Sequence, residues 1–460
     1  MMHKTEAAGG ADLGRDKIGP LLFKLAMPAI VAQIVNLLYN MVDRMYIGHI
    51  AEVGPEALTG VGVCMPVIMA VSAFAALVSM GGAPRASIMM GRGDKEQAEN
   101  ILGNCTALLS GVAVLLTLVV SVWGRDILLA FGASENTIPY AWQYMQIYAL
   151  GTLFVQLALG LNAFINAQGF ARVGMMTVVI GAVCNIVLDP LFIFAFGMGV
   201  RGAALATILS QAVSCVWILR FLTSEKSKLR IRRGNLPLRR KVFLPCLALG
   251  LAPFIMQFTE TVLFVCFNTS LLRYGGDIAV GAMTILSSVM QFSMLPLQGL
   301  TQGAQPIVSF NFGAGNIGRV KQTFWLLLKC SMVYSGAMWL LCMLTPQLFI
   351  GIFTANAELA AFTRWAIRIY MAASVIFGIQ IACQQTFIAL GNSRTSAFLA
   401  LLRKVILLIP LIFILPQLIS DKVLAVFLAE PVADVIAVSV TATLFAREYR
   451  RLPPEKRAEK

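Results

Sequence analysis

Residues Gly181–Thr207 read GAVCNIVLDPLFIFAFGMGVRGAALAT: an apolar helix, a tight glycine turn and the start of a second helix. Asn185 and Asp189 stand four apart in the first helix and so share one face. Val187, Leu188, Pro190 and Leu191 flank the acid. A carboxylate in that setting is costly, so it is expected to face a partner or a water-filled cavity. Tyr39 and Asp43 repeat the pattern early in the chain, again four apart in an apolar helix. The two pairs are expected to face each other, with their protonation or ion occupancy driving the protein.

The surrounding composition supports a membrane setting. Of 460 residues, 58% are hydrophobic and only 13% are charged, where a soluble domain carries about a quarter. With a mean hydropathy of +0.79, the chain reads as a polytopic all-α membrane protein. Its net charge of +14 could suggest nucleic acid, but the basic residues cluster in short loops between apolar runs, which is membrane topology. No nucleic-acid partner is expected. The nine cysteines form no CxxC pair and lie in apolar runs, so they read as small core residues. His3 sits in the tail and His49 at a helix end, so no metal site is expected. Without a nucleophile–base pair or metal ligands at membrane depth, an intramembrane enzyme is not expected either. The first 17 residues are polar and no small-residue cleavage motif follows, so no cleavable signal peptide is expected.

Apolar runs long enough to span, about 20 residues, fall at 20–48, 55–89, 97–123, 137–166, 173–196, 200–222, 242–272, 277–310, 318–344, 358–389, 395–416 and 422–446. Twelve transmembrane helices result. They divide the chain into a tail (1–19), an N-lobe (20–223), a basic linker (224–241), a C-lobe (242–446) and a second tail (447–460). Lys and Arg concentrate in the loops after even-numbered helices, in the linker, and in the C-terminal tail as Arg447, Arg450, Arg451, Lys456, Arg457 and Lys460. By the positive-inside rule, both termini and the linker should be cytoplasmic in a multi-pass protein of the cell membrane. The linker itself, from Lys226 to Lys241, reads either as a site for anionic lipid headgroups or as a solvated connector that carries the orientation signal.

The halves repeat. Pro84 and Pro306, Gly91 and Gly313, Gly93 and Gly315, Tyr148 and Tyr370, and Gly169 and Gly391 are all 222 residues apart. Six helices per half put both halves into the membrane from the same side, a parallel internal repeat with substrate expected between the lobes. The glycine run GAGNIG at 313–318 matches a dinucleotide fingerprint only formally, because it follows a long apolar helix and not a strand. Prolines inside the apolar runs bend helices, and Pro28 is the candidate hinge. The remaining intramembrane acids are Glu260, which has nothing basic near it in sequence, and the pair Glu430 and Asp434. For Asp43, a local salt bridge to Arg44 is the competing explanation. The polar residues Gln33, Asn36, Asn162 and Gln257 are candidates for the substrate cavity, although hydrogen bonds between helices would also account for them.

On these residues the chain resembles the multidrug and toxic compound extrusion (MATE) family. The likeness covers essentially the whole chain: two six-helix halves, the GRGD-type turn at 91–94 with its degenerate twin, and the central linker. It looks like the branch with an N-lobe polar network, whose positions are filled here by Asp43, Asn185, Asp189 and Thr207, with Tyr39 one turn before Asp43. The resemblance implies export of amphipathic, often cationic drugs or toxic organic cations, in exchange for H⁺ or Na⁺, with no further cofactor. A monomer in the lipid bilayer is expected. Glu260 matches a helix-seven acid of the sodium-coupled branch, but the helix-ten segment FGIQIACQQTF offers Gln380 where that branch has aspartate. Coupling through the N-lobe is therefore expected. Low dielectric and a second carboxylate nearby both favour a shared proton there, so H⁺ is preferred over Na⁺. The alternative function is a flippase for lipid-linked envelope precursors. That reading calls for cations at cavity depth, whereas Arg172, Arg201 and Arg394 fall at helix ends.

Overall fold

Glycine or proline marks many, though not all, of the places where the apolar runs break. The computed structural model describes residues 10–50, 53–354 and 356–452, and among them regular structure is helical throughout. His3, Lys456, Arg457 and Lys460 lie outside the described residues, as do parts of both expected tails. In the N-terminal half the helices are α1 (Ile18–Gly48), α2 (Gly54–Gly91), α3 (Lys95–Ala130), α4 (Ile138–Leu150), α5 (Thr152–Ala167), α6 (Ala171–Pro190) and α7 (Val200–Thr223). In the other half they are α8 (Arg240–Ala314), α9 (Ile317–Leu344), α10 (Pro346–Phe353), α11 (Ala357–Tyr370), α12 (Phe377–Ala389), α13 (Ser393–Leu401), α14 (Ile409–Leu418) and α15 (Lys422–Arg451).

Several of the expected spans are bent or joined. The run at 137–166 is bent by 60° between α4 and α5, at Gly151, where Ile208 of α7 presses against the backbone. The run at 358–389 is bent by 49° between α11 and Ser374–Ala389. These bends lie at matching places in the two halves, so they belong to the repeat. The runs at 242–272 and 277–310 are two limbs of α8, which turns at Gly276 with φ 65° and ψ −165°, a backbone region open essentially to glycine alone. A straight helix of those 75 residues would be about 110 Å long, far more than one bilayer. Two crossings from α8, one from each bent pair and eight further helical spans make twelve, and the chain is a multi-pass membrane protein. Two spans also widen into π-helix, at Leu191–Ala195 after α6 and at Leu402–Leu408 between α13 and α14.

The internal repeat extends to backbone conformation. Gly93 and Gly315 have φ of 80° and 77°, and Gly169 and Gly391 have 88° and 78°. These are left-handed turns that close helices in corresponding places.

The halves meet closely at the linker end. A Cβ on Gly250 of α8 would overlap the Leu77 carbonyl of α2, and one on Gly91 would overlap the Phe310 carbonyl, so the two lobes approach there backbone to backbone. The segment before α1 spans this seam. Ala11 N–H donates to the Gly169 carbonyl at 3.2 Å, while Asn311 and Arg319 from the other half donate to the Leu13 carbonyl at 2.8 and 3.1 Å. Linker residue Lys228 donates to the carbonyls of Ala11 and Gln168 at 3.2 and 2.9 Å. Burial draws its ammonium below the ordinary lysine value, and Asp12 and Asp16 oppose that shift. Arg232 pairs with buried Glu99 of α3 at 2.9 Å. Part of the linker's positive charge therefore pins the linker to the N-lobe.

Candidate functional site

Each lobe holds a cluster of titratable side chains. In the N-lobe, α1 carries Tyr39 and Asp43 one turn apart, and α6 carries Asn185 and Asp189 with the same spacing. The structure brings these two faces together. The carboxyl groups of Asp43 and Asp189 lie within hydrogen-bonding reach of each other, and Asn185 Nδ2 donates to Asp189 Oδ1 at 3.3 Å. Asp189 is fully buried, and Asn185 almost so. Three oxygens, Asp43 Oδ1, Asn185 Oδ1 and Asp189 Oδ2, are buried without a protein hydrogen-bond partner. Buried polar atoms of this kind usually find one. Asp43 forms no ion pair among the described residues, so the competing explanation, a local bridge to Arg44, is not found.

Thr207 reaches this cluster from α7. Its hydroxyl donates to the Ala203 carbonyl at 3.0 Å and neighbours the phenol of Tyr144. Tyr144 and Tyr148, both buried and stacked with ring centres 6.1 Å apart, form the wall on α4. Sequence reading missed Tyr144 altogether and used Tyr148 only as a repeat landmark. The available signal was their four-residue spacing in an apolar run.

The C-lobe cluster differs in charge. Glu260 comes from the first limb of α8, and Glu430 and Asp434 come from α15, one turn apart. Between them the π-helical segment presents Arg403 and Lys404, neither of which was singled out from the sequence. Arg403 donates to Asp434 Oδ1 at 2.7 Å and to Glu430 Oε1 at 2.9 Å, with its guanidinium 4.5 Å over the Phe377 ring. Lys404 Nζ bonds Glu260 Oε1 at 2.5 Å. Glu260 thus has a cation that its neighbours in sequence did not reveal, and Arg403 and Lys404 add cations at membrane depth to Arg172, Arg201 and Arg394, which lie at helix ends as expected. The signal was an Arg–Lys pair in the middle of the apolar run at 395–416. Gln380, at the position where an acid was sought, instead donates to Gln384 Oε1 at 3.0 Å.

The remaining candidates are spread out. Gln33 and Asn36 lie on α1 before Tyr39, and Gln257 is exposed one turn before Glu260. Asn162 packs toward Gly174 at the start of α6, about 22 Å along that helix from Asp189. Pro28 is buried inside α1, which continues past it as one helix. Among the described residues no cluster of His, Cys, Asp and Glu suits a metal ion.

Comparison with known proteins is consistent along the chain. The MatE family model matches residues 28–191 and 253–414, one segment in each half. The multidrug export protein MepA of Staphylococcus aureus is 22% identical over 435 residues, covering 92% of this chain and 93% of that protein. The Staphylococcus saprophyticus MepA is similar, at 22% over 427 residues with the same coverage. Among solved structures, the MATE multidrug transporter DinF-BH is 32% identical with a TM-score of 0.88, covering 95% of this chain and 98% of that one. An outward-facing multidrug resistance MATE transporter of the MOP superfamily superposes with a TM-score of 0.90 at 22% identity, over 97% of this chain and 99% of that one.

Proposed function

Because the chain belongs to the multidrug and toxic compound extrusion family, we propose that it is a secondary active exporter of amphipathic, often cationic organic compounds. It exchanges them for H⁺ through the N-lobe, by alternating access between the two lobes. The observation that carries this reading is the contact between Asp43 and Asp189, with three buried oxygens around it that no protein group satisfies. Two carboxylates this close are unstable when both are ionised, so the site holds either a proton or a small cation. If the loaded and unloaded forms favour different arrangements of the lobes, an ion gradient does work on the drug. The close seam at the linker end supports a cavity that opens at the opposite end, outward if the linker is cytoplasmic. Multidrug export by the MepA relatives points to the same substrate class.

The test is exchange in proteoliposomes with ΔpH and ΔNa⁺ imposed separately. Drug uptake should follow ΔpH in sodium-free buffer and collapse with a protonophore. Exchange driven by a Na⁺ gradient at zero ΔpH, and lost in Asp189→Asn, would leave the site in place and change the ion. Exchange that survives Asp189→Asn would sink the N-lobe reading.

The second reading, a flippase for a lipid-linked diphosphate, gains one observation: Arg403 and Lys404 are cations at membrane depth. Each is already paired with carboxylates, so neither is a free phosphate ligand, and drug export is favoured. Rescue of an envelope-precursor defect without any drug phenotype would reverse that order.

A further inference from the structure

The C-lobe ion pair has a geometry that neither lobe's repeat nor the coupling site explains. Glu260 and Lys404 are bonded, yet their exposures are opposite: the Glu260 side chain is 58% exposed and that of Lys404 only 7%. Gln257, one turn earlier on the same helix, is exposed as well. A ligand approaching this wall therefore meets the carboxylate first, with an ammonium held directly behind it. Glu260 is the one bonding partner of Lys404 Nζ in the described structure, whereas Arg403 beside it is shared between Glu430 and Asp434. The charge of Lys404 is thus committed to one acceptor, and that acceptor faces open space.

We propose that Lys404 is a specificity-determining residue of the transport cavity. By neutralising Glu260 it turns the C-lobe wall into an ion-pair dipole, leaving the N-lobe acids as the cation-attracting side. A wall of this kind serves zwitterionic amphiphiles as well as lipophilic monocations, because a ligand's ammonium meets Glu260 while its carboxylate faces a wall with no net charge to repel it. Removing Lys404 exposes a net negative charge and favours monocations. Removing the charge of Glu260 exposes a net positive one and favours ligands that carry a carboxylate. This inference rests on the transport reading above and adds to it the residue that sets substrate polarity.

The test uses the purified full-length protein and two forms of one dye, rhodamine B as its free acid, a zwitterion at neutral pH, and its ethyl ester, a monocation. Fluorescence titration gives the ratio of the two dissociation constants, zwitterion over ester. Lys404→Met should raise that ratio on the order of tenfold, the scale of one unit charge several ångströms away in a partly wet site. Glu260→Gln should lower it by a similar factor, and the double variant should return near the wild-type ratio. A purely structural ion pair would weaken both dyes together and leave the ratio within about twofold in all three variants, which overturns the proposal. If the wild type binds neither dye form, the transport reading fails first, an outcome distinct from an unchanged ratio.

Discussion

Both lobes carry charge inside the membrane, at positions that the repeat does not match, and they balance it differently. In the N-lobe, Asp43 and Asp189 meet without an ion-paired cation, and three buried oxygens around them lack protein partners. In the C-lobe, Arg403 and Lys404 engage Glu260, Glu430 and Asp434. The 222-residue offset sets Arg403 against Gly181, one helical turn before Asn185. At Gly181 the helix lies so close to α7 that a Cβ would come within 2.6 Å of Ser214 Oγ. The C-lobe instead widens into π-helix at that point, making room for two long cationic side chains. A balanced cluster holds its helices in register, whereas an unbalanced one needs something mobile to complete it. On the proposed reading the unbalanced N-lobe cluster is the switch, and the Arg403 pairs of the C-lobe hold their helices in place.

The strongest test of this contrast is Asp189→Asn, which removes the acid that has no cation. Drug exchange in proteoliposomes should fall to the level of protein-free liposomes, with expression and folding intact. Activity near wild type would erase the distinction between the lobes.

Arg403→Leu should act on stability. It leaves Glu430 and Asp434 buried without their partner, and breaking a buried pair in this way costs about 3–5 kcal/mol. The melting temperature in detergent should drop sharply, and adding Glu430→Gln and Asp434→Asn should restore most of it. A variant that melts like wild type but fails to exchange would make the C-lobe a switch too.

Tyr144→Phe is the finest probe. It removes a hydroxyl beside Thr207 at the edge of the N-lobe cluster, and a neutral hydrogen bond is worth about 1 kcal/mol. The pH midpoint or KM of exchange should change severalfold, with little change in melting temperature. No change in either would place Tyr144 outside the site.

Much of this arrangement was legible in the chain itself. Asn185 and Asp189 share a face because helical periodicity leaves no alternative, and their cost in an apolar helix marks them for a partner. The same logic located Tyr39 and Asp43. The 222-residue offset predicted turns that recur with matching left-handed glycines. The C-lobe was harder to read because its charges balance only through space. Glu260 and Lys404 are 144 residues apart, and nothing local to either residue signals the other.

The sequence by itself determined a membrane chain of two repeated halves, since apolar length, loop charge and recurring glycines are local quantities that any fold must respect. It also determined which acids would be costly to bury. The tertiary structure alone decided which of those acids have cations. Pairing depends on where α6, α8, α15 and the π-helical segment come to lie against one another, and packing between residues 27 to 144 apart in the chain sets that position. It also decided where the long runs bend, as at Gly151, where Ile208 of another helix leaves no room for a side chain.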